Sequence, residues 1–224
     1  MSLPIQPYAG GLDPETAFPL PVSFFARSAA VVARELLGCV LASRVDSVLT
    51  AGKIVETEAY LGSDDPGSHA ATRGITARNR VMYGPPGHAY VYLTYGNHHM
   101  LNLVAETEGT AGGVLVRAIR PIAGVDTMSA RRGGRTGFDL ANGPGKLAAA
   151  LGVDLAHNGS RLGEVITVYE GADVPKARVV VGGRIGLSAG YDLPLRFYIA
   201  GEDHVSKGRT GPRQASRGRS TRTK

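Results

Sequence analysis

The sequence predicts a mixed α/β (α+β) fold: a single domain with one curved, largely antiparallel β-sheet flanked by helices. Short segments rich in Val, Ile and Tyr follow one another along the chain and are bounded by glycine turns, as strands of such a sheet are. Few segments carry helical signals, and no internal repeat or change of composition divides the chain before its last twenty residues. A length of 224 residues can bury the core of one large domain.

The elements follow from local signals in chain order. Residues 1–22 are rich in Pro and Gly and predict an irregular lead-in to a domain over residues 23–204. Helices are expected where apolar runs end at glycine or begin with proline: Ser28 to Leu37, Val125 to Arg132, and Pro144 to Leu151. The predicted strands are Cys39 to Ser43, Lys53 to Leu61, Ala89 to Thr94, Met100 to Glu106, Gly113 to Ile119, Glu164 to Tyr169, Arg178 to Val181 and Leu195 to Ala200.

The positive charge of the chain is concentrated at its C-terminus. Residues 205–224 hold seven Lys and Arg and no acid, whereas the rest holds 18 bases and 19 acids. This segment lacks apolar periodicity, so we expect a disordered basic tail. It is either a solvated terminus or an arm that binds phosphates without sequence specificity, and the residues do not choose between these.

Composition also excludes several classes of protein. No apolar run approaches the roughly 18 residues of a membrane span, and the first residues lack a secretory signal, so we expect a soluble intracellular protein without a membrane partner. Cys39 is the only cysteine, which excludes an internal disulfide and a cysteine-held metal site. The adjacent His98 and His99 point apart on a strand and lack supporting carboxylates, so no metal is expected.

Carboxylates and tyrosines on two strands indicate a pocket for a flat ring. Glu56, Glu58 and Tyr60 alternate along an apolar strand and therefore share one face. Acids in such a strand are costly unless they line a pocket or are paired. Tyr90 and Tyr92 share a face of a second strand. Alternation alone does not decide which glutamate acts, and strand tyrosines are often simply half-buried.

Several motifs follow one another from about Phe24 to Ser206. They are V-E-T-E-A-Y-L-G at 55–62, His69 in a Gly/Ser loop, A-R-N-R at 77–80, Y-V-Y-L-T-Y-G at 90–96, Asn102, V-L-V-R-A at 114–118, N-G-P-G-K-L at 142–147 and P-L-R-F-Y-I at 194–199. In order and spacing these motifs resemble one enzyme family, the alkyladenine (3-methyladenine, methylpurine) DNA glycosylases. The resemblance implies the family's fold, which is like that of the formyltransferase C-terminal domain.

The resemblance also implies an activity and its location. Such enzymes flip a damaged purine out of double-stranded DNA and hydrolyse its N-glycosidic bond without a cofactor, leaving an abasic site. No lysine lies in or beside the aromatic cluster, so a Schiff-base lyase step is not expected. We expect a monomer, cytoplasmic and nucleoid-associated in a bacterium or nuclear in a eukaryote.

The resemblance implies catalytic roles for some residues and base-binding roles for others. Glu58 would activate the attacking water, helped by Arg117 and a backbone carbonyl near Ile185; alternatively, Arg117 forms a structural ion pair with Glu56 or Glu58. The base-pocket residues would be Tyr60 on one side of the base, His69 with Tyr92 on the other, Tyr90 bonded to His69, and Asn102, which would exclude guanine or simply bond within the sheet.

The remaining roles concern DNA. Tyr95, at a Tyr-Gly-Asn turn, would intercalate into the gap left by the flipped nucleotide. The residues expected to contact the DNA backbone are Arg78, Arg80, Arg132 and Lys146, although loop arginines are often just solvated. Two alternatives stay open from the residues: a non-catalytic protein that binds DNA lesions, and a hydrolase of another N- or O-glycoside that uses both glutamates.

Overall fold

The computed structural model describes residues 17–208 and confirms the predicted fold class. Eight strands form one curled antiparallel sheet. They are β1 Val40–Ser43, β2 Thr50–Tyr60, β3 Ala89–Thr94, β4 His98–Val104, β5 Gly113–Ala123, β6 Ile166–Tyr169, β7 Val179–Gly182 and β8 Arg196–Ile199. Each overlaps a strand expected from the sequence, with ends that differ by a few residues.

Strand β2 is the centre of the sheet. The strand order is β3-β4-β5-β2-β1-β6, and β8 pairs with both β2 and β7. β5 lies along one side of β2, whereas the other side is divided: β1 pairs with its first half and β8 with residues Glu56 to Glu58. Two different segments of the chain therefore meet at the second half of β2, where the predicted site lies.

The helices are α1 Val22–Phe25, α2 Ala29–Glu35, α3 His69–Arg73, α4 Val125–Arg131 and α5 Pro144–Leu151. Helices α1, α2, α4 and α5 contribute side chains to the main core on one face of the sheet, whereas α3 contributes none to it. The hydroxyl of Thr57 donates to the Ala33 carbonyl of α2 at 2.7 Å, and Val55 and Ala59 belong to the main core. Odd-numbered residues of β2 thus face the helices, as alternation predicts, which directs Glu56 and Glu58 to the other face.

Three local features differ from the sequence predictions. His69 begins helix α3 rather than lying in a loop, because Ser68 caps the helix by accepting a hydrogen bond from the Ala70 amide at 3.2 Å. The first predicted helix is shorter, and α1 precedes it. Most of the predicted lead-in and the predicted tail from residue 209 onward lie outside the described residues. Within residues 17–208, no helix is long and apolar enough to cross a membrane.

Candidate active site

Glu56 and Glu58 are both fully buried on β2, beneath Arg117 of β5. The register places Ala118 opposite Glu56 and Val116 opposite Thr57, so Arg117 is the extra residue of a β-bulge. Bulges re-aim side chains and are frequent beside active sites. Here the bulge directs the Arg117 guanidinium to both carboxylates, with Nε 3.2 Å from Glu56 Oε1 and Nη1 3.1 Å from Glu58 Oε2.

Burial opposes the charge of Arg117, but the two carboxylates outweigh it and raise the pKa of the guanidinium above its usual value. Arg117 therefore remains a cation. Arg117 forms the kind of ion pair that the sequence offered as the alternative to a role in catalysis. The same contacts hold Glu58 in place.

The surroundings distinguish the two glutamates. Glu56 accepts hydrogen bonds from Arg117, from Arg196 Nε at 2.6 Å, and from both the amide (2.7 Å) and the hydroxyl (2.9 Å) of Ser206. Both of its oxygens are thus occupied by protein donors. Ser206 belongs to the segment predicted as the basic tail, whose first residues are therefore bound to the domain.

Glu58 has fewer protein donors and lies next to an aromatic cavity. Its Oε1 accepts the Ile185 amide at 2.7 Å, and its Oε2 accepts the Tyr60 hydroxyl at 2.9 Å in addition to Arg117. Ile185 thus contacts the carboxylate through its N–H. The resemblance instead predicted that a backbone carbonyl near Ile185 helps to activate the attacking water. Because Tyr60 lines the cavity, Glu58 is connected to the cavity wall by one hydrogen bond.

The cavity has a volume of about 50 Å³. It brings together all five residues predicted for the base pocket, and Gly67, Met82 and Leu187 complete the lining. These five residues come from four elements of the fold: Tyr60, His69, Tyr90, Tyr92 and Asn102. No local pattern in the sequence indicated the additional three.

The aromatic side chains of the cavity hold one another in place. His69 Nδ1 lies 3.1 Å from the Tyr90 hydroxyl, and the His69 and Tyr92 rings meet edge to face with centroids 4.7 Å apart. Burial raises the pKa of Tyr90 to about 12 and raises those of Tyr60 and Tyr92 well above the usual range. All three are therefore neutral phenols at physiological pH.

Asn102 is bonded within the sheet and also lines the cavity, and its exclusion of guanine stays a prediction. Its amide nitrogen donates to the Tyr90 carbonyl at 3.1 Å and to the Met100 carbonyl at 3.4 Å, so it is bonded within the sheet. It also lines the cavity. These backbone bonds fix the orientation of the amide, as a residue that discriminates between ligands requires.

The tight turn between β3 and β4 exposes Tyr95. Tyr95 and Gly96 both have positive φ angles, 53° and 73°, and the Asn97 amide bonds the Thr94 carbonyl at 3.3 Å. Positive φ at both central residues is the requirement of a type I′ hairpin turn, and it is uncommon for a tyrosine. The Tyr95 side chain is 64% exposed. A large aromatic side chain thus projects from the hairpin that carries Tyr90 and Tyr92.

Comparison with known proteins assigns the family. The sequence model of the family described as Methylpurine-DNA glycosylase (MPG) matches residues 23–203. The chain belongs to this family. It is 47% identical over 190 residues to a protein of Carboxydothermus hydrogenoformans, and 48% identical over 192 residues to one of Methanoculleus marisnigri; each match covers 84% of this chain and 98% of the relative. Both relatives carry the name "Putative 3-methyladenine DNA glycosylase".

Membership confirms the resemblance identified from the sequence and the predicted class of enzyme, a DNA glycosylase, and with it a DNA substrate. A third relative, from Chlorobaculum tepidum, has the same name and is 45% identical over 195 residues, covering 86% of this chain and 93% of its own. The match spans nearly the whole described domain, so the site lies within the shared region.

Most of the basic side chains expected to contact DNA are bonded to the glycosylase itself. Lys146 lies 2.5 Å from an Asp139 oxygen and lowers the pKa of that carboxyl group, and Arg132 Nε donates to the Leu140 carbonyl at 3.2 Å. Arg78 donates to the Leu93 carbonyl at 2.7 Å, whereas Arg80 is exposed. Their assignment to the DNA backbone stays a prediction.

Helix α5 begins close to the Tyr95 hairpin. A Cβ atom at Gly145 would lie only 3.0 Å from the Cβ of His98, the first residue of β4. Glycine therefore permits the helix to start against this strand. Lys146 is thus near the hairpin, although Asp139 and Asn142 hold its amine.

Sequence reasoning missed a second buried ion pair beside the cavity. Arg184 and Asp65 are both buried, and Arg184 Nη2 lies 2.5 Å from Asp65 Oδ1. Asp65 also accepts the amides of Leu61 and Gly67, which fixes the loop after β2. Asp65 lies in a segment of Gly, Ser and Pro and resembles an ordinary turn residue, so nothing local distinguished it.

Arg196, the second arginine at Glu56 and Glu58, could have been recognised. It lies in the apolar strand P-L-R-F-Y-I, where a lone charge needs a partner, as Glu56 and Glu58 do in theirs. As for metals, the part of the chain that the structure describes contains no group of three or more His, Cys, Asp or Glu that could hold an ion.

Proposed function

We propose that the glycosylase excises alkylated or otherwise damaged purines from double-stranded DNA, using a water activated by Glu58, and leaves an abasic site. The observation that carries this proposal is the hydrogen bond from Tyr60 to Glu58, which joins a buried carboxylate to the wall of an aromatic cavity. Such a cavity can hold a flat base while the carboxylate acts at the adjoining sugar.

Recognition of the base depends on flipping. The target atom, C1′, is not accessible in a stacked duplex, so the nucleotide must rotate into the cavity. Alkylated purines that carry a positive charge are attracted to aromatic faces by about 0.5–2 kcal/mol.

The chemical step is a hydrolysis. Glu58 accepts a proton from water as the water oxygen bonds to C1′, and the bonding electron pair of C1′–N leaves with the base. A positively charged base leaves neutral, whereas a neutral base must gain a proton. The negative charge of Glu58 also stabilises the positive charge that develops on the sugar. Arg117 and the Ile185 amide keep the carboxylate oriented.

The carboxylate contacts support Glu58 rather than Glu56 as the base. Protein donors bind both oxygens of each glutamate, but only Glu58 is hydrogen-bonded to a residue of the cavity wall, the Tyr60 hydroxyl. Among the described residues that line the cavity, none is a lysine, which supports a monofunctional enzyme that does not cut the strand.

Tyr95 would fill the gap left by the flipped nucleotide. Its exposure and its rigid turn support this role, because a wedge must reach into the base stack without collapsing. Arg78, Arg80, Arg132 and Lys146 would contact phosphates on the same side. We place this activity in the cytoplasm, with the nucleoid, since the named relatives come from prokaryotes, and expect a monomer.

The direct test is release of free base from duplex DNA that contains 7-methylguanine or 3-methyladenine, measured by chromatography. The parent protein should release the base and leave an intact strand that breaks only on treatment with alkali. Glu58→Gln should bind the duplex but release almost no base. Glu108→Gln, which changes an exposed glutamate, serves as the control. Release by Glu58→Gln at the parent rate would contradict the mechanism.

A further inference from the structure

Two of the three tyrosines that line the cavity have an arginine over their ring. The Arg184 Cζ atom lies 4.8 Å from the Tyr60 ring centroid, and the Arg78 Cζ atom lies 5.1 Å from the Tyr92 ring centroid. Neither arginine lines the cavity. Each guanidinium is therefore a positive charge that lies against a ring of the cavity wall without forming part of the wall itself.

A ring that already binds one cation attracts a second cation less strongly. The attraction arises from the negative charge density above and below the ring. A guanidinium that lies over such a ring draws on this density and also repels a positive charge bound in the cavity. A neutral base is not affected by that repulsion.

We propose that Arg78 and Arg184 limit the preference of the glycosylase for positively charged purines, so that neutral damaged purines can compete for the same cavity. This inference rests on the proposed function. It makes Arg78 a residue that determines specificity through the Tyr92 ring, in addition to any contact with phosphate.

Arg78 can be substituted with less disturbance of the fold than Arg184. Arg184 is fully buried and bonded to Asp65 and to the carbonyls of Ala59 and Gly190, so it is a permanent part of the fold. Arg78 is an exposed residue that donates to the Leu93 carbonyl and interacts with the Tyr90 hydroxyl. Substitution of Arg78 thus changes the charge beside the cavity without removing a buried ion pair.

The size of the effect follows from the separation of the charges. A base stacked on Tyr92 would place its charge about 9 Å from the guanidinium, where repulsion changes affinity by about 2-fold at the dielectric constant of water and about 20-fold at an effective value near 20. Removal of the Arg78 charge should raise the affinity for a cationic base, relative to a neutral one, by a factor in this range.

The experiment measures equilibrium binding in the Glu58→Gln background, where the lesion is expected to persist. Duplexes of identical sequence carry 7-methylguanine, which is cationic, or hypoxanthine, which is neutral, and an undamaged duplex gives the non-specific affinity. Arg78→Met keeps much of the side chain without its charge, and Arg78→Lys keeps the charge. Arg80→Met is the matched control, since it also removes an exposed arginine from the same segment. Thermal melting verifies that each variant is folded, and Arg78→Gln replaces Arg78→Met if needed.

The inference requires that Arg78→Met raise the affinity ratio of 7-methylguanine to hypoxanthine, while Arg78→Lys and Arg80→Met leave it near the parent value. A lost phosphate contact would weaken every duplex equally and would leave the ratio unchanged. An unchanged or lowered ratio in Arg78→Met, or an equal rise in Arg78→Lys, would overturn the inference. Failure of the parent protein to release base would instead contradict the proposed function, and the two failures are therefore separable.

Discussion

Replacement of Glu56 by glutamine should show which of the two buried glutamates mainly stabilises the fold and which acts in base release. Glu56 accepts hydrogen bonds from two arginines and from the amide and hydroxyl of Ser206. A glutamine at this position replaces one acceptor oxygen with an NH₂ group, which must face one of these donors. Arg117 keeps its contact with Glu58, but Arg196 loses its carboxylate partner.

The expected loss of stability follows from this environment. Breaking one partner of a buried ion pair costs about 3–5 kcal/mol. For a domain of this size each 1 kcal/mol lowers the Tm by about 2–4 °C, so Glu56→Gln should melt about 6–20 °C below the parent. Glu58→Gln should lose less, about 1–3 kcal/mol, because it gives up one charged contact and can still accept the Ile185 amide.

The assay combines thermal unfolding with single-turnover base release at a temperature where both variants remain folded. Glu56→Gln should retain a rate within about 10-fold of the parent, whereas loss of the general base in Glu58→Gln should lower the rate by about 100- to 10,000-fold. The reasoning is refuted if Glu56→Gln melts like the parent yet loses release as completely as Glu58→Gln. That result would identify Glu56 as the general base.

Three further predictions address the wedge, the second ion pair and the tyrosines. Tyr95→Ala should slow release from duplex DNA by about 5- to 100-fold, from lost stacking, without slowing release from single strands; equal slowing on both would contradict the wedge. Arg184→Met should lower the unfolding free energy by about 3–5 kcal/mol because it leaves Asp65 charged and unpaired, and the double variant with Asp65→Asn should recover part of this in denaturant titrations. Burial raises the pKa of Tyr90 to about 12; the stability this provides is complete below pH 10, where unfolded tyrosine ionises, and is lost as pH rises towards 12. Tyr90→Phe should therefore show a weaker fall in stability over that range, and an equal fall would count against it.

Much of the fold and part of the site could be predicted because they depend on short-range rules. Alternation along β2 directed Glu56 and Glu58 away from the helices, and the same rule brought the Tyr90 and Tyr92 rings to within 5.3 Å of each other. Tyr-Gly between two apolar strands predicted an exposed tyrosine at a tight turn, which the positive φ angles bear out. In each case the relevant neighbours lie within a few residues of one another.

The ion pairs and the occupancy of the basic side chains could not be predicted in this way. Sequence reasoning offered Lys146 and Arg132 as phosphate ligands, but Asp139 and the Leu140 carbonyl hold them. The motif predicts that Arg78 contacts the DNA backbone, which stays a prediction, but it does not predict that the guanidinium lies over the Tyr92 ring. A motif names the residue types, whereas the partner of a long side chain depends on which loop folds beside it.

The sequence by itself determined the sheet, the family, and the face on which two glutamates and the tyrosines lie. Only the tertiary structure decided how the two glutamates differ, because their partners come from distant parts of the chain. Arg196 and Ser206 bind Glu56, and Ile185 binds Glu58. Strand periodicity acts over two residues and treats Glu56 and Glu58 alike. The C-terminal segments that fold around β2 give the two glutamates different partners, and of the two only Glu58 is connected to the cavity, through Tyr60.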